Sequence, residues 1–365
     1  MDRLKILALG GDGIGPEVVA SGLELLDAVA KSGGLALDVT EDLLHGAAYD
    51  RYGTFCRDET LAAAKSSDAV LVGAVGGPKW DGIVLPGGAE MQDGLMRLRL
   101  GLDAFVGLRP ARLFPCLEDL TPFRAGLATG ADIVVLRELC GGAFFARPRG
   151  IEPAPDGGEQ GFDHVVYTTR EIERFAHAAF KLARRRKRRL VNADKANVMQ
   201  HCALWRRVVS EVGKQYPDVE LTHLYADNAS YQLMRRPRDF DLVMADNLYG
   251  DMLSDEIGVL AGSLGMLPSA CLPGLPDPGQ RIAAGIYEPA SGTAPDIAGK
   301  GVANPMGTLL TTALLLEYAA ARPDLARRVE AAVGQALEAG HRTPDLGGTG
   351  TTRSVTDAVI AAYRG

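Results

Sequence analysis

Short apolar runs alternate with helix-like stretches along the whole chain. Residues 4–10 (LKILALG) read as a buried strand, residues 16–31 as an amphipathic helix, and Ala69–Ala74 as a second buried strand after another helix. Continuous apolar runs of this length, separated by helices, are typical of parallel strands that are covered on both faces. The pattern predicts an α/β protein with a large, mostly parallel sheet.

The middle of the chain continues this pattern, and each of its apolar runs ends in a charged or amide residue. The runs are AFVGLRP, ADIVVLREL, RRLVNADKA, VELTHLYAD and FDLVMADN. Polar side chains at the ends of strands in such a sheet usually line a cleft. Helices are predicted again near 306–320 and 324–338, followed by a loop and a last short helix.

Composition narrows the class of protein. The 365 residues predict about two domains. Because the net charge is -7, a general affinity for nucleic acid is not expected. The basic run at 184–189 (RRRKRR) follows a predicted helix that begins near Thr169, and cations are favoured at a helix C-terminus, so we interpret the run as structural rather than as a nucleic-acid patch.

The five cysteines are widely spaced and form no CxxC pair. Neither a disulfide framework nor a zinc site is predicted from them. The N-terminal segment lacks the pattern of a signal peptide, and no apolar run approaches membrane-spanning length. We therefore expect a reduced, cytoplasmic environment and no membrane partner.

Three arginines are candidates for binding an anion. Arg99 lies in MRLRLGLD, and Arg109 and Arg137 lie at the predicted ends of strands. The planar guanidinium suits bidentate binding of a carboxylate. A single such arginine is more often a surface or ion-paired residue, but the two strand-end positions favour a binding site.

Three aspartates and one lysine are candidates for metal and proton chemistry. Asp251 and Asp255 are four residues apart, so both carboxylates project from one face of a helix, and Asp227 follows a strand. Three carboxylates can hold Mg²⁺ or Mn²⁺; the alternative is a solvated acidic helix start. Lys195 lies just beyond a buried strand, where a nearby cation would lower its pKa enough for proton transfer; the alternative is a structural ion pair.

Two glycine-rich segments are candidates for contact with a ligand, but neither has the Rossmann fingerprint. GGDGIGPE at 10–17 forms a turn before a helix, but its spacing is not GxGxxG. The loop at 286–305 carries polar side chains at irregular spacing. Its Asp296 could accept both ribose hydroxyls of an adenosine and would repel a 2′-phosphate, which favours NAD over NADP.

Taken together, these segments resemble the β-decarboxylating dehydrogenases of the isocitrate/isopropylmalate dehydrogenase family, nearly from end to end. The shared segments, in family order, are GDGIGPEV, VGGPKWD, LRP, VVLRELCGG, ADKANVM, LWRRVVSEV, YPDVELTHLYADN, GDMLSDE, GSLGMLPSA and APDIAGKGVANP. The resemblance implies a two-domain fold of this family, not a Rossmann fold. Residues 1–104 and 262–365 would form a cofactor-binding domain, and residues 105–261 a domain for metal, substrate and dimerisation.

The resemblance also implies roles for single residues. Substrate carboxylates would bind Arg99, Arg109 and Arg137, and the substituent at C3 would lie against Leu95 and Met96. Asp251 and Asp255 would hold Mg²⁺ or Mn²⁺ with Asp227 of a second subunit, and Lys195 would also cross the homodimer interface as a catalytic residue with Asp227. Contacts with NAD are implied for Ile14, Glu288, Ser291, Ala294, Asp296 and Asn304.

The implied reaction is the NAD-dependent oxidative decarboxylation of a 3-substituted malate. The first expectation is (2R,3S)-3-isopropylmalate, converted to 4-methyl-2-oxopentanoate in leucine biosynthesis. Alternatives are a bulkier 3-alkyl or 3-benzyl malate from a specialised pathway, tartrate or D-malate, and a non-catalytic regulatory subunit.

Four positions depart from the family pattern. Phe144 occupies the catalytic position where the family usually has a tyrosine, so the phenol proton is missing there. Ser291 replaces a histidine in the cofactor loop, Gly107 precedes LRP where asparagine is common, and Gln92 replaces an acid before the substrate helix. We expect the loss of the tyrosine to slow or redirect the chemistry rather than abolish it.

Overall fold

A computed structural model describes residues 2–365 of the chain. Its strands are β1 (Asp2–Gly11), β2 (Leu35–Asp42), β3 (Ala69–Ala74), β4 (Val106–Arg112), β5 (Asp132–Glu138), β6 (Arg149–Pro153), β7 (Glu159–Asp163), β8 (Arg189–Asp194), β9 (Glu220–Tyr225), β10 (Leu242–Ala245), β11 (Ala270–Leu272) and β12 (Gly285–Tyr287). Its helices are α1 (Gly15–Gly33), α2 (His45–Tyr52), α3 (Asp58–Lys65), α4 (Ala89–Gln92), α5 (Gly94–Gly101), α6 (Thr169–Arg185), α7 (Gln200–Gly213), α8 (Ala226–Arg235), α9 (Asn247–Gly258), α10 (Met306–Tyr318), α11 (Pro323–Glu338) and α12 (Thr352–Arg364).

Ten strands of the described chain form one sheet in the order β2-β1-β3-β12-β11-β4-β5-β10-β8-β9. Neighbours pair in parallel at both ends of this sheet, whereas the pairs β12/β11, β11/β4 and β4/β5 are antiparallel. Strands β6 and β7 form a separate exposed hairpin. The prediction of an α/β protein with a large, mostly parallel sheet is confirmed.

Helices cover both faces of the sheet, which explains the continuous apolar runs of the strands. All six residues of β3 and all four of β10 are buried. Helix α10, which is apolar almost all round, packs between α1 and α11 at the centre of the main core. The chain therefore returns after β11 and β12 to pack its C-terminal helices α10 and α12 against the N-terminal helix α1. The division into two functional domains itself stays a prediction.

The basic run at 184–189 is engaged within the fold. Helix α6 begins at Thr169, as predicted, with a capping box between Thr168 and Glu171. At its C-terminal end, Arg184 pairs with Asp218 at 2.6 Å. Arg186 pairs with the fully buried carboxylate of Asp241 at 2.8 Å. These pairs are consistent with the structural interpretation of the run.

Two further features of the structure concern membrane-spanning helices and the cysteines. Within residues 2–365, no helix combines the length and apolar character needed to cross a membrane. All five cysteines are free thiols.

Candidate active site

The centre of the sheet brings the three predicted arginines together. Arg137 is on β5 opposite Gly107 of β4, so Arg109, two residues further along β4, projects from the same face as a diagonal neighbour. Arg99 reaches this face from α5 and lies 3.5 Å from a carboxylate oxygen of Glu288, which follows β12. Arg109 lies in the middle of β4 rather than at the predicted strand end, because the strand continues through Arg112.

Part of the hydrogen-bonding capacity of this arginine cluster is unused. Arg99 and Arg137 are buried, and the Nε atoms of Arg99 and Arg109 have no hydrogen-bond partner among the described residues. Burial, together with the nearby Arg99 and Arg109, lowers the pKa of Arg137 to about 10, against the opposing effect of Asp251. Burial also raises the pKa of Glu288, while the arginines act in the opposite direction. Such a cluster is suited to an anionic ligand, which would supply the missing acceptors.

Helix α9 packs directly on Arg137 and carries the two predicted metal-binding acids. A Cβ atom on Gly250 would lie 2.8 Å from Cβ of Arg137, so only glycine allows this close approach. Arg137 donates from Nε to Oδ1 of Asn247 at 2.9 Å and from Nη1 to Asp251. Burial and the adjacent Asp251 raise the pKa of Asp255. The two acids thus share one face, as predicted from their spacing, and repel each other there.

Lys195 and Asp227 meet elsewhere, at the start of α8. Nζ of Lys195 lies 2.5 Å from Oδ1 of Asp227. This hydrogen bond is the main reason that the pKa of Asp227 is lowered. The pair borders a cavity of about 260 Å³ whose other wall is formed by Tyr249, Met252, Leu253 and Glu256 of α9.

Helix α9 separates the two groups of charged residues within one chain. Successive helical residues are about 100° apart, so Glu256 lies roughly 140° around the axis from Asp251. Asp251 and Asp255 face β4 and β5, whereas Glu256 faces α8 and accepts a hydrogen bond from Ser230. The carboxylate of Asp227 therefore does not converge with those of Asp251 and Asp255 in a single subunit.

A broad cleft lies beside the arginine cluster. It measures about 940 Å³ and is lined by Val84, Gly87, Gly88, Ala89, Gln92, Asp93, Met96, Phe144, Arg147, Pro148 and Arg149. The ring of Phe144 lies 5.3 Å from the guanidinium carbon of Arg137, a cation–π distance. Met96 thus lines the cleft, but Leu95 is 5% exposed and packs into the core with Leu44 and Leu98.

The two predicted cofactor segments contact each other. The amide of Ile14 donates to the carbonyl of Thr293 at 2.9 Å, and Ile14 packs in a small apolar cluster with Ala294 and Ala303. Ser291 is half-buried beside this contact, and Asp296 is exposed. A Cβ atom on Gly13, whose φ is +57°, would lie 2.1 Å from the same carbonyl of Thr293.

The side chain of Asn304 is held by two hydrogen bonds within the protein. Its Oδ1 accepts the amide of Met306 at the start of α10, and its Nδ2 donates to Asp345 at 2.9 Å. These two hydrogen bonds orient the side chain from both ends. A role toward the cofactor stays a prediction.

Sequence reasoning missed two polar residues that hold the site in place. Asp12 is buried and accepts hydrogen bonds from the amides of Gly46, Ala47 and Gly76 and shares one with Nδ1 of His45, all at 2.8–3.1 Å. Asn247 joins Arg137 to the carbonyl of Gly141. The sequence features that point to them are the aspartate within GGDGIG, which is Asp12, and the amide that ends FDLVMADN, which is Asn247.

Comparison with known proteins matches this architecture. Among solved structures, isocitrate dehydrogenase from Methylococcus capsulatus superposes with a TM-score of 0.85 at 28% identity and covers 100% of both chains. A β-decarboxylating dehydrogenase from Thermococcus kodakarensis gives a TM-score of 0.77 at 31% identity and covers 100% of this chain and 96% of its own.

Sequence comparison identifies the family. The model "Isocitrate/isopropylmalate dehydrogenase" matches residues 5–359. Proteins named 3-isopropylmalate dehydrogenase from Xanthomonas euvesicatoria and from Methylococcus capsulatus are both 46% identical, over 98% and 99% of this chain respectively and 99% of their own lengths. The chain belongs to the isocitrate/isopropylmalate dehydrogenase family. The predicted fold family and the prediction of a dehydrogenase are confirmed.

The contact between the two cofactor segments gives a test on one glycine. We expect Gly13→Ala to break the hydrogen bond from Ile14 to Thr293, because the added methyl group occupies the space of that carbonyl. Hydrogen exchange should then accelerate at the amide of Ile14 and around 291–297. Gly292→Ala is the matched control: its φ is +67° but nothing lies within 4 Å, so only the conformational cost of about 1–2 kcal/mol applies. Equal exchange in the two variants would contradict the close approach.

Proposed function

We propose that this protein is an NAD-dependent enzyme that oxidises 3-isopropylmalate at C2 and removes the carboxylate on C3, which yields 4-methyl-2-oxopentanoate for leucine biosynthesis. The observation that carries the proposal is the cluster of Arg99, Arg109 and Arg137, in which two buried Nε donors have no partner, next to the acidic face of α9. The relatives named 3-isopropylmalate dehydrogenase, which match almost the full chain, favour this substrate.

The arginine cluster binds the two carboxylates of the substrate. The unpartnered Nε atoms of Arg99 and Arg109 are buried donors, which a substrate carboxylate satisfies when it enters between the arginines. Arg137 exchanges part of its contact with Asp251 for the substrate, which relieves its depressed pKa. The alkyl group at C3 points toward Met96, an adaptable apolar side chain in the cleft. Leu95 does not line the cleft; it packs in the core and supports the helix that carries Met96.

The acidic face of α9 fits a divalent cation. Asp251 and Asp255 project together, and the pKa of Asp255 is raised by its neighbour as well as by burial, a repulsion that a cation relieves. All-oxygen ligands match Mg²⁺ or Mn²⁺. Such an ion, held by Asp251, Asp255 and Asp227 of a second subunit, would supply Lewis-acid stabilisation of negative charge on the substrate oxygen at C2.

We further propose that the active site is shared by two subunits of a homodimer. Because α9 separates them, Asp227 and Lys195 do not reach the acids of their own chain. A second subunit placed against α8 and α9 supplies its Asp227 as the third metal ligand and its Lys195 to the substrate. The exposed side chains of Tyr231 and Met252 on these helices support this placement of the interface.

The contacting turn and loop fit NAD. Gly13 and Ile14 bring the start of α1 against the loop at 291–296, so one dinucleotide spans both segments. Exposed Asp296 accepts the adenosine ribose hydroxyls, Ala294 and Ile14 give apolar contact, and Ser291 adds a hydroxyl. Glu288 and Asn304 border the site. NAD, when bound, accepts the hydride from C2.

Proton transfer falls to Lys195 of the second subunit. As hydride leaves C2, its amine takes the proton of the C2 hydroxyl; after CO₂ is lost, a proton must be delivered to C3. Phe144 faces the cleft without a proton to give. Lys195, or a water at the metal site, returns the proton to C3, and we expect this step to be slower than with a phenol at position 144.

The proposal also covers the division into domains, the cellular location and a second candidate substrate. The cofactor domain comprises 1–104 and 262–365, and the metal, substrate and dimerisation domain comprises 105–261. The five free thiols favour the reducing cytoplasm. A bulkier 3-alkyl or 3-benzyl malate is a second candidate substrate, favoured by the 940 Å³ cleft that Met96 and Phe144 line.

A substrate panel tests the activity. With NAD and Mn²⁺, we expect the purified homomer to have the highest kcat/KM for 3-isopropylmalate, since Met96 offers apolar contact and no hydrogen bond. Rates with 3-benzylmalate, D-malate, tartrate and isocitrate are measured in parallel. A higher value for 3-benzylmalate would assign the specialised substrate. A complete lack of turnover with all five would make the chain a regulatory subunit.

Mixed dimers test the shared site. Lys195→Met and Asp251→Asn homodimers should each be nearly inactive. A purified heterodimer of the two should recover about half of the wild-type kcat, because one of its two sites receives intact Asp251 from one chain and intact Lys195 from the other. Mixing Lys195→Met with Asp227→Asn, which lie on the same side of the interface, is the control and should give no recovery. Lack of recovery in the first pair would refute the sharing.

The missing phenol gives a gain-of-function test. We expect Phe144→Tyr to raise kcat roughly 3- to 10-fold, since a positioned acid accelerates protonation of C3. Phe144→Leu is the control, because it changes the ring without adding a proton. If the leucine variant gained as much as the tyrosine variant, space rather than acidity would be responsible.

A further inference from the structure

Three potential metal ligands converge outside the proposed active site. His201 and Cys202 lie in the first turn of α7, and Asp246 is the N-cap residue of α9. Nε2 of His201 lies 3.1 Å from Sγ of Cys202 and 3.2 Å from Oδ2 of Asp246. All three ligand atoms are within 4.8 Å of one another. Two chain segments about 45 residues apart thus present nitrogen, sulfur and oxygen to one point.

The hydrogen bonds of this cluster are mutually exclusive. A single ring nitrogen either accepts the proton of the Cys202 thiol or donates its own proton to Asp246, but not both. Whichever bond forms, the other buried partner of Nε2 loses its contact. Cys202 is 1% exposed and Asp246 is 5% exposed, so water does not readily compensate. A cation at this point would satisfy all three atoms at once.

The spacing of the three atoms fits a small, borderline-soft cation. Ligand distances of about 2.3 Å to sulfur and about 2.0–2.1 Å to nitrogen and oxygen, at tetrahedral angles, separate the ligand atoms by about 3.4–3.6 Å. The observed distances of 3.1 and 3.2 Å from Nε2 of His201 require shifts of only a few tenths of an ångström, and the third pair, Sγ of Cys202 and a carboxylate oxygen of Asp246, lies within 4.8 Å. Thiolate and imidazole ligands favour Zn²⁺ or Cd²⁺ over Mg²⁺.

We propose that His201, Cys202 and Asp246 form a second metal site, selective for Zn²⁺-like ions and distinct from the acidic face of α9. Binding forms the bonds from the metal to nitrogen, sulfur and oxygen, and the Cys202 proton passes to solvent. The side chain of His201 is 10% exposed, so it is the most accessible of the three ligands. A water molecule completes the fourth position.

Occupation of this site would affect catalysis through the backbone. The carbonyl of Lys195 accepts a hydrogen bond from the amide of Met199 at 3.0 Å, and α7, which carries His201 and Cys202, begins at the next residue. Asp246 also holds the first turn of α9 through the amide of Tyr249 at 2.9 Å. Metal binding therefore shifts the segments that carry Lys195 and Asp251. We expect this shift to inhibit the dehydrogenase activity. This consequence, unlike the site itself, rests on the proposed function.

Binding is tested by titrating the dimer with Cd²⁺ in the presence of excess Mg²⁺, which occupies the acidic face of α9. Thiolate-to-Cd²⁺ absorption in the ultraviolet should saturate at one ion per subunit. Cys202→Ser should abolish this saturable band, and His201→Gln should weaken the apparent Kd at least about tenfold. Cys116→Ser, which removes a more exposed thiol elsewhere, should leave it unchanged.

Two results of the same titration would contradict the second metal site. A band of equal intensity in Cys202→Ser, or no band in the wild type, would overturn the site whether or not the enzyme turns over 3-isopropylmalate. Zn²⁺ inhibition is then measured with saturating Mg²⁺, and Cys202→Ser should be at least about tenfold less sensitive. Binding by absorption without any loss of activity would overturn the coupling to Lys195.

Discussion

The packing of α9 on β5 is the constraint on which the rest of the site depends. It buries the guanidinium of Arg137 next to two further arginines, an arrangement that is unfavourable without anions close by. Gly250 permits the approach, Asn247 and Asp251 hold the guanidinium, and the same helix presents Asp255. Because one helix positions both the cationic and the acidic groups, their separation is fixed by the fold rather than by flexible loops.

The sequence predicted the parts of the fold that depend on local pattern. Buried strands such as β3, the start of α6 at Thr169 and the shared face of Asp251 and Asp255 follow from periodicity and capping alone. The antiparallel strands β11 and β12 have only three residues each and form through long-range pairing, so no local signal announces them. For the same reason the sequence did not show that β12, β11, β4 and β5 lie side by side.

Side-chain environments were the least predictable part of the site. Leu95 and Met96 are adjacent in sequence, yet one lies in the core and the other in the cleft, since successive helical residues point about 100° apart. The convergence of His201 and Cys202 with Asp246 requires α7 and α9 to begin at neighbouring points, which spacing in the sequence does not reveal. The sequence indicated only that Asp12 is part of a turn. In the structure its carboxylate accepts hydrogen bonds from backbone amides of two segments that are distant in sequence.

The continuity of the ten-stranded sheet has a mechanical consequence. Its parallel ends are connected through β12 and β11, whose ladder to each other contains only two residue pairs. No free linker intervenes between the two ends within the described sheet, so any rotation of one end against the other is taken up as added twist across these short central strands. The two-pair ladder between β11 and β12, next to Glu288, is therefore the narrowest hydrogen-bonded connection between the two parallel ends of the sheet.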